Sequence, residues 1–366
     1  MLGNQAELIR RVSAQALSKA RQNLPFAVFN DLNDRLIQLA GQHIGMPRWQ
    51  GLRVVAADAS DVRLTARDAT KRVIKHGKVF GLYLPGVEMT LHATLYGVGT
   101  GERQMLFEHL GHLGKDDLLV LDRGYPASWL MAALDQREIP YCMRIDNICG
   151  TVVKSFMRSG AAEAVVTLPA PEQAEVDDYN VPAAPVKVRL IRLVTPGALV
   201  RVVATNLLDA AQWPATDFGE LYHLRWRIEE AFRRIKHRLD LEGVSGLSHL
   251  AHQQELAAKI LADNLNAVLC LDALPLCNCD GQISDSAPTI LKASPKVQLK
   301  INRTRAFARV RQCLPRWLAG AVMTVEELMK LLASIADNVV RFKPDRSYPR
   351  TKQPKPHKAF AGKPVM

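Results

Sequence analysis

No stretch of this 366-residue chain approaches the ~20 apolar residues that cross a bilayer as a helix. Runs such as LLVLD (118–122) and ALVRVVAT (198–205) are short and soon meet a charge. That excludes a helical membrane protein. The opening MLGNQAELIRR has no apolar segment followed by a small-residue cleavage site, so the chain is expected to stay in the cytoplasm. The six cysteines, at 142, 149, 270, 277, 279 and 313, include no C-x2-C pair. A zinc ribbon and a disulfide scaffold are therefore excluded, and reduced thiols are expected. Acidic residues are scarce too: 36 Asp and Glu stand against 48 Lys and Arg, a net charge of +12. An excess of that size favours a polyanionic partner, nucleic acid first, because bound phosphates release counterions.

What the chain does have is material for a core. Hydrophobic residues make up 48% and charged residues 23%, which excludes wholesale disorder. The length suits two domains, or one large domain with an insertion. Residues 5–43 read as two helices, because Leu8, Ile9, Val12 and Leu17, then Phe29, Leu32, Leu36 and Leu39, recur at three- and four-residue spacing. Pro25 breaks them. From Leu52 the pattern changes to strands alternating with helices: LRVVAAD, VEMTLHATLYGV, LLVLD, a helix after RGYPAS, then PYCMRI. This alternation predicts an α/β fold.

Between 146 and 213 the helical periodicity fades, and VKVRLIRL and ALVRVVATNL flank the turn VTPG. The segment reads as a β-rich insertion lying outside the central sheet. Helices are expected at about 216–240, 248–273 and 325–341. The division that follows is 1–48 helical and a candidate binder of DNA ends, 49–145 the first part of the core, and 146–213 the insertion. The rest of the core takes 214–275, a helical region 276–340, and a basic tail 341–366 with eight Lys/Arg, one Asp and five prolines. Such a tail cannot form a core and is expected to be extended.

Two acids stand out by position. Asp58 and Asp122 each close a hydrophobic run, where a carboxylate emerges at the rim of a sheet. Asp61 lies past its strand, and Asp116 and Asp117 precede theirs in a turn, so they are poorer candidates. A third acid sits in DFGELYHLRWRIEEAFRRIKHRLD. With Tyr222 at zero, an ideal helix puts Arg225 at about 300°, Glu229 at about 340° and Lys236 at about 320°. These four share one arc beside the apolar stripe, whereas Glu230 points away at about 80°. An ordinary solvated helix with Glu/Arg pairs is the bland alternative.

The spacing Y-x2-R-x3-E-x6-K, formed by Tyr222, Arg225, Glu229 and Lys236, resembles the Y-R-E-K signature of bacterial insertion-sequence transposases of family four. VVAADAS resembles that family's first catalytic segment and LVLDRGYPAS its second. The resemblance covers about 50–350. It implies an RNase H-like catalytic core interrupted by a β-rich insertion, with Asp58, Asp122 and Glu229 as catalytic metal ligands. It further implies DNA as partner, both the element's terminal repeats and a target, a homodimer in the synaptic complex, and a nucleoid-associated bacterial location. Three carboxylates on separate elements can hold two divalent cations about 3.5–4 Å apart for phosphodiester cleavage. Mg²⁺ suits such oxygen ligands, with Mn²⁺ as a substitute. Tyr222, Arg225 and Lys236 would hold phosphates nearby. A metal-dependent nuclease of the same fold and an inactive DNA-binding derivative remain open. A hairpin route of excision would need an aromatic in the insertion to stack on a flipped base. Trp213 is the candidate by position, although a large aromatic more often fills a core.

Overall fold

The computed structural model describes residues 13–342 apart from 64–65, 68–72, 75, 147–149, 196–198, 244–245, 247, 278–281, 285–286 and 295–296. The basic tail beyond Phe342 and the start of the first expected helix lie outside the described residues.

In chain order, α1 (Ala14–Gln22) and α2 (Ala27–His43) come first, and the Pro25 break falls between them. Ser13 caps α1 by accepting the Ala16 N–H. Six strands follow: β1 (Arg48–Trp49), β2 (Leu52–Val62), β3 (Ala66–Arg67), β4 (Val73–Ile74), β5 (Gly77–Leu84) and β6 (Met89–Tyr96). Then α3 (Glu102–Glu108), β7 (Asp117–Leu121), α4 (Ser128–Gln136) and β8 (Tyr141–Ile145) alternate, as the hydrophobic pattern predicts. Next are α5 (Thr151–Ser159), β9 (Glu163–Leu168), α6 (Gln173–Tyr179), β10 (Val186–Thr195) and β11 (Leu199–Thr205). The chain continues through α7 (Phe218–His223), α8 (Trp226–His237) and α9 (His249–Ala273). It closes with β12 (Gln282–Ser284), β13 (Ala287–Ser294), β14 (Val297–Ile301), α10 (Arg303–Leu318), α11 (Val325–Ala336) and β15 (Val339–Phe342).

Two compact units result. One takes 46–61 and 78–233; the other takes the rest of the described chain. The first is built on a mixed sheet in the order β6-β5-β2-β7-β8-β11-β10-β9, with β1 paired to β2. At its centre β2, β7 and β8 run parallel, and both faces of β7 are buried, which is why LLVL is apolar throughout. On the far side β11, β10 and β9 pair antiparallel. The α7 residues Phe218, Leu221 and Tyr222 pack on Val54, Leu118, Val120 and Cys142. Further along the chain, α8 reaches β5, where a Cβ on Gly81 would stand 3.3 Å from the Phe232 ring. A side chain there would press on the ring, so glycine suits that approach. Arg227 fixes the same helix by donating to the buried Glu88 at 2.7 Å.

The second unit centres on α9, against which α1, α2, α10 and α11 pack. Several of its buried polar groups pair with one another. Asn264 donates to Asn33 at 2.6 Å, and Arg303 and Arg234 pair with Asp263 at 3.1 and 3.4 Å. A four-stranded sheet, β12-β13-β14-β15, completes it. Among the described residues no helix is long and apolar enough to cross a membrane.

Four expectations need correction. The strands of 146–213 lie within the central sheet, because β11 pairs with β8 from Thr205–Cys142 to Val202–Ile145. The same segment also contains α5 and α6, and α5 buries only Val153 and Phe156, too short a stripe to register as periodicity. Residues 282–301, read as part of a helical region, are largely strand, consistent with the alternation in VQLKI. Finally, the expected single helix over 216–240 is broken between His223 and Trp226. There Arg225 N–H bonds to the Tyr222 carbonyl and Arg227 N–H to that of Leu224, i→i−3 bonds that tighten the chain.

Candidate active site

The parallel rungs between β2 and β7 run from Arg53–Asp117 to Ala56–Val120. Asp58 and Asp122 each lie two residues beyond the last rung, hence at equal offset and on the same side of the pleat. Adjacent strands are about 4.8 Å apart, so the two carboxyls are neighbours. Asp58 does not close its strand as expected, since β2 continues to Val62; only its pairing with β7 stops. Each carboxylate accepts a backbone N–H. Ala59 donates to Asp58 Oδ1 at 2.9 Å and Gly124 to Asp122 Oδ1 at 2.7 Å. A Cβ on Gly124 would sit 3.1 Å from Asp122 Oδ1 and would press on that carboxylate.

Glu229 enters from α8, and Arg225 joins it to the first strand. The Arg225 Nη2 donates to Glu229 Oε1 at 2.9 Å, and its Nη1 lies 4.0 Å from Asp58 Oδ2. Its side chain is 6% exposed, and the guanidinium lies over the Trp226 ring at 4.7 Å. Burial pushes the Asp58 carboxyl up to about 7; Arg225 opposes that rise and the charge of Asp122 adds to it. The three acids are not closed into a single cage, because among the described residues the only set of three candidate ligands within 4.8 Å of one another is histidine. The guanidinium stands between Asp58 and Glu229 instead.

The four residues of the proposed stripe do not share one exposed arc. Tyr222 lies on α7 before the break and is 5% exposed, inside the hydrophobic cluster. Burial pushes its hydroxyl up to about 12. Arg225 faces the acids. Only Glu229 and Lys236 remain on α8 at the expected spacing, seven residues or about 10.5 Å apart, with Lys236 half-buried. The rivals separate as expected. Asp117 is buried and salt-bridged to Arg53 at 2.6 Å, and Glu230 is exposed. Trp213 stacks on Trp49 at 5.6 Å, which supports its packing role.

Residues 49–265 match the transposase DDE domain family, over more than half of the chain. The chain belongs to that family. Asp58, Asp122, Glu229 and Lys236 all fall within the matched DDE domain. The chain is also 25% identical over 268 residues to Transposase InsG for insertion sequence element IS4 of Escherichia coli (strain K12). That alignment covers 69% of this chain and 60% of the relative, so the chain spans about three-fifths of its length. A cryo-EM structure of the piggyBac transposase synaptic complex with hairpin DNA aligns with a TM-score of 0.41 and 10% identity, over 78% of this chain and 58% of that one.

Two members of this DDE domain escape the sequence reading. Glu102, at the start of α3, has a carboxylate oxygen 3.5 Å from the Cβ position of Gly124, next to Asp122. Burial and the charge of Asp122 raise its carboxyl above the usual range. Tyr125 is fully buried and its hydroxyl has no hydrogen-bond partner among the described residues; burial, then Asp58, Glu102 and Asp122, push it well above the usual phenol range. An acid in the first turn of a helix reads as a dipole partner, and a Tyr after Gly reads as core, so neither had a distinguishing signal.

Proposed function

We propose that this chain is a DNA transposase with an RNase H-like core, cleaving the ends of its insertion sequence and joining the freed 3′-hydroxyls to target DNA. The observation that supports it is the equal offset of Asp58 and Asp122 on adjacent parallel strands, with Glu229 tied to Asp58 through Arg225. The donor set fits hard divalent cations: it is all carboxylate oxygen, partly desolvated, with like charges side by side. Asp58, Asp122 and Glu229 would hold them. Bound there, Mg²⁺, or Mn²⁺ in its place, would activate the attacking water or 3′-hydroxyl and neutralise the leaving oxygen.

The protein's own groups do the rest. Gly124 and Ala59 backbone N–H groups orient the two aspartates. Arg225 sets the position of Glu229, and Tyr222, packed beneath the break, supports that turn. Lys236, two turns along α8, supplies a point charge for a DNA phosphate. The partners are the element's terminal repeats and target DNA, bound by a homodimer in the synaptic complex at the bacterial nucleoid.

The direct test incubates labelled element ends with Mg²⁺ and resolves strands on denaturing gels. Wild type should nick and join; Asp122→Asn should bind the ends with unchanged affinity and cut at least 1,000-fold more slowly. Retained cutting would remove Asp122 from the mechanism. Precut ends separate transposition from hydrolysis, since a simple nuclease gives no joined product.

A further inference from the structure

The structure assigns a second metal site to His92, His109 and His112, which we propose binds a transition cation of the Zn²⁺ class. One nitrogen from each ring can be chosen so that all three lie within 4.8 Å of one another. His92 is on β6, the edge strand of the sheet, while His109 and His112 sit in the turn after α3. The histidines are therefore brought together by the tertiary fold, across a gap of 16 residues between His92 and His109.

The surroundings are those of a ligand set. Tyr96 Oη donates to Glu108 at 2.6 Å and also lies 2.9 Å from His109 Nε2. Tyrosine has one proton, so His109 must donate from Nε2, which leaves Nδ1 as its basic nitrogen. A carboxylate-backed hydrogen bond that fixes a histidine's tautomer is the usual outer support of a metal ligand. His92 Nε2 is likewise held, 3.1 Å from Thr94 Oγ1. Phe80 closes one side, stacked on His109 at 5.4 Å.

Chelation asks for a small adjustment. Nitrogens at about 2.0–2.1 Å from a tetrahedral Zn²⁺ are about 3.3 Å apart, so the rings must close in. His112 stacks on His92 with centroids 4.1 Å apart and must turn its plane toward the common point. It is exposed. Three imidazoles and a water would complete the site. Its consequence is a clamp between the edge strand and the far end of α3, whose first residue, Glu102, stands beside Asp122.

The test uses untagged, chelator-stripped full-length protein, equilibrium dialysis against Zn²⁺ with metal analysis, and Co²⁺ absorption as a readout of geometry. Wild type should take up one His112-dependent ion, with tetrahedral Co²⁺ bands and a raised thermal midpoint. His112→Ala, at an exposed position, should keep its circular dichroism and bind at least tenfold more weakly, whereas Asp122→Asn should retain this ion. Equal binding by His112→Ala, binding lost only in Asp122→Asn, or no uptake by wild type would each overturn the proposal and leave a neutral imidazole stack.

Discussion

Arg225 and Glu229 are four residues apart and hydrogen-bonded at 2.9 Å, yet the first belongs to the break between two helices and the second to the helix that follows. The tightened turn directs the guanidinium at Asp58 as well, so one cation compensates carboxylates from two elements.

If that compensation is what Arg225 provides, Arg225→Ala should lose about 3 kcal/mol of stability in chelator at pH 7, because two partly buried carboxylates lose their partner. Millimolar Mg²⁺ should restore more stability to this variant than to wild type. Urea titrations with and without Mg²⁺ measure both; an equal Mg²⁺ response in the two proteins would sink the account.

Lys236→Ala should slow cleavage and joining and lower the salt slope of DNA binding by about one unit. Arg233, exposed and about 60° away around the helix, is the comparison. Binding isotherms over a range of salt decide the matter, and equal losses from the two would mean that only general basicity counts.

Arg189 is 1% exposed, pairs with Glu163 and donates to the Trp213 carbonyl at 2.6 Å. Arg189→Ala should destabilise the sheet unit by about 3 kcal/mol or more, since Glu163 and the carbonyl lose their donor. The fluorescence of the Trp49–Trp213 pair during urea unfolding would report it. Wild-type stability would contradict the role.

Acid should weaken the fold through His92. Burial, then His112 and His109, hold its pKa at about 3 in the native state, whereas the unfolded imidazole protonates near its ordinary 6.5. Between those values the unfolded chain binds the extra proton, so stability is present above about pH 6.5 and lost as pH falls toward 3, at up to about 1.4 kcal/mol per unit. In chelator, His92→Gln should flatten the slope measured between pH 6.5 and 5. Parallel slopes would exclude His92 as its source.

Much of this was legible in one dimension. LLVLD had to be a central strand because it is apolar at every position, and the alternation from Leu52 to Ile145 specified an α/β order through burial alone. Asp58 and Asp122 were visible because each interrupts an apolar run with a carboxylate, although β2 continues past Asp58 to Val62. The segment 146–213 shows the limit. Its hairpin was readable, but pairing of β11 with β8 depends on hydrogen bonds between residues about 60 apart, which no local pattern records. The Y-R-E-K spacing gave the residues and not their directions, because an ideal 100° step assumes an unbroken helix. One tightened turn sent Tyr222 into the core and Arg225 between two acids. Glu102 and the three histidines had no sequence signal at all, since each is ordinary in its own segment. Sequence determined which side chains were available and which runs must be buried; only tertiary packing decided which of them share the same few ångströms.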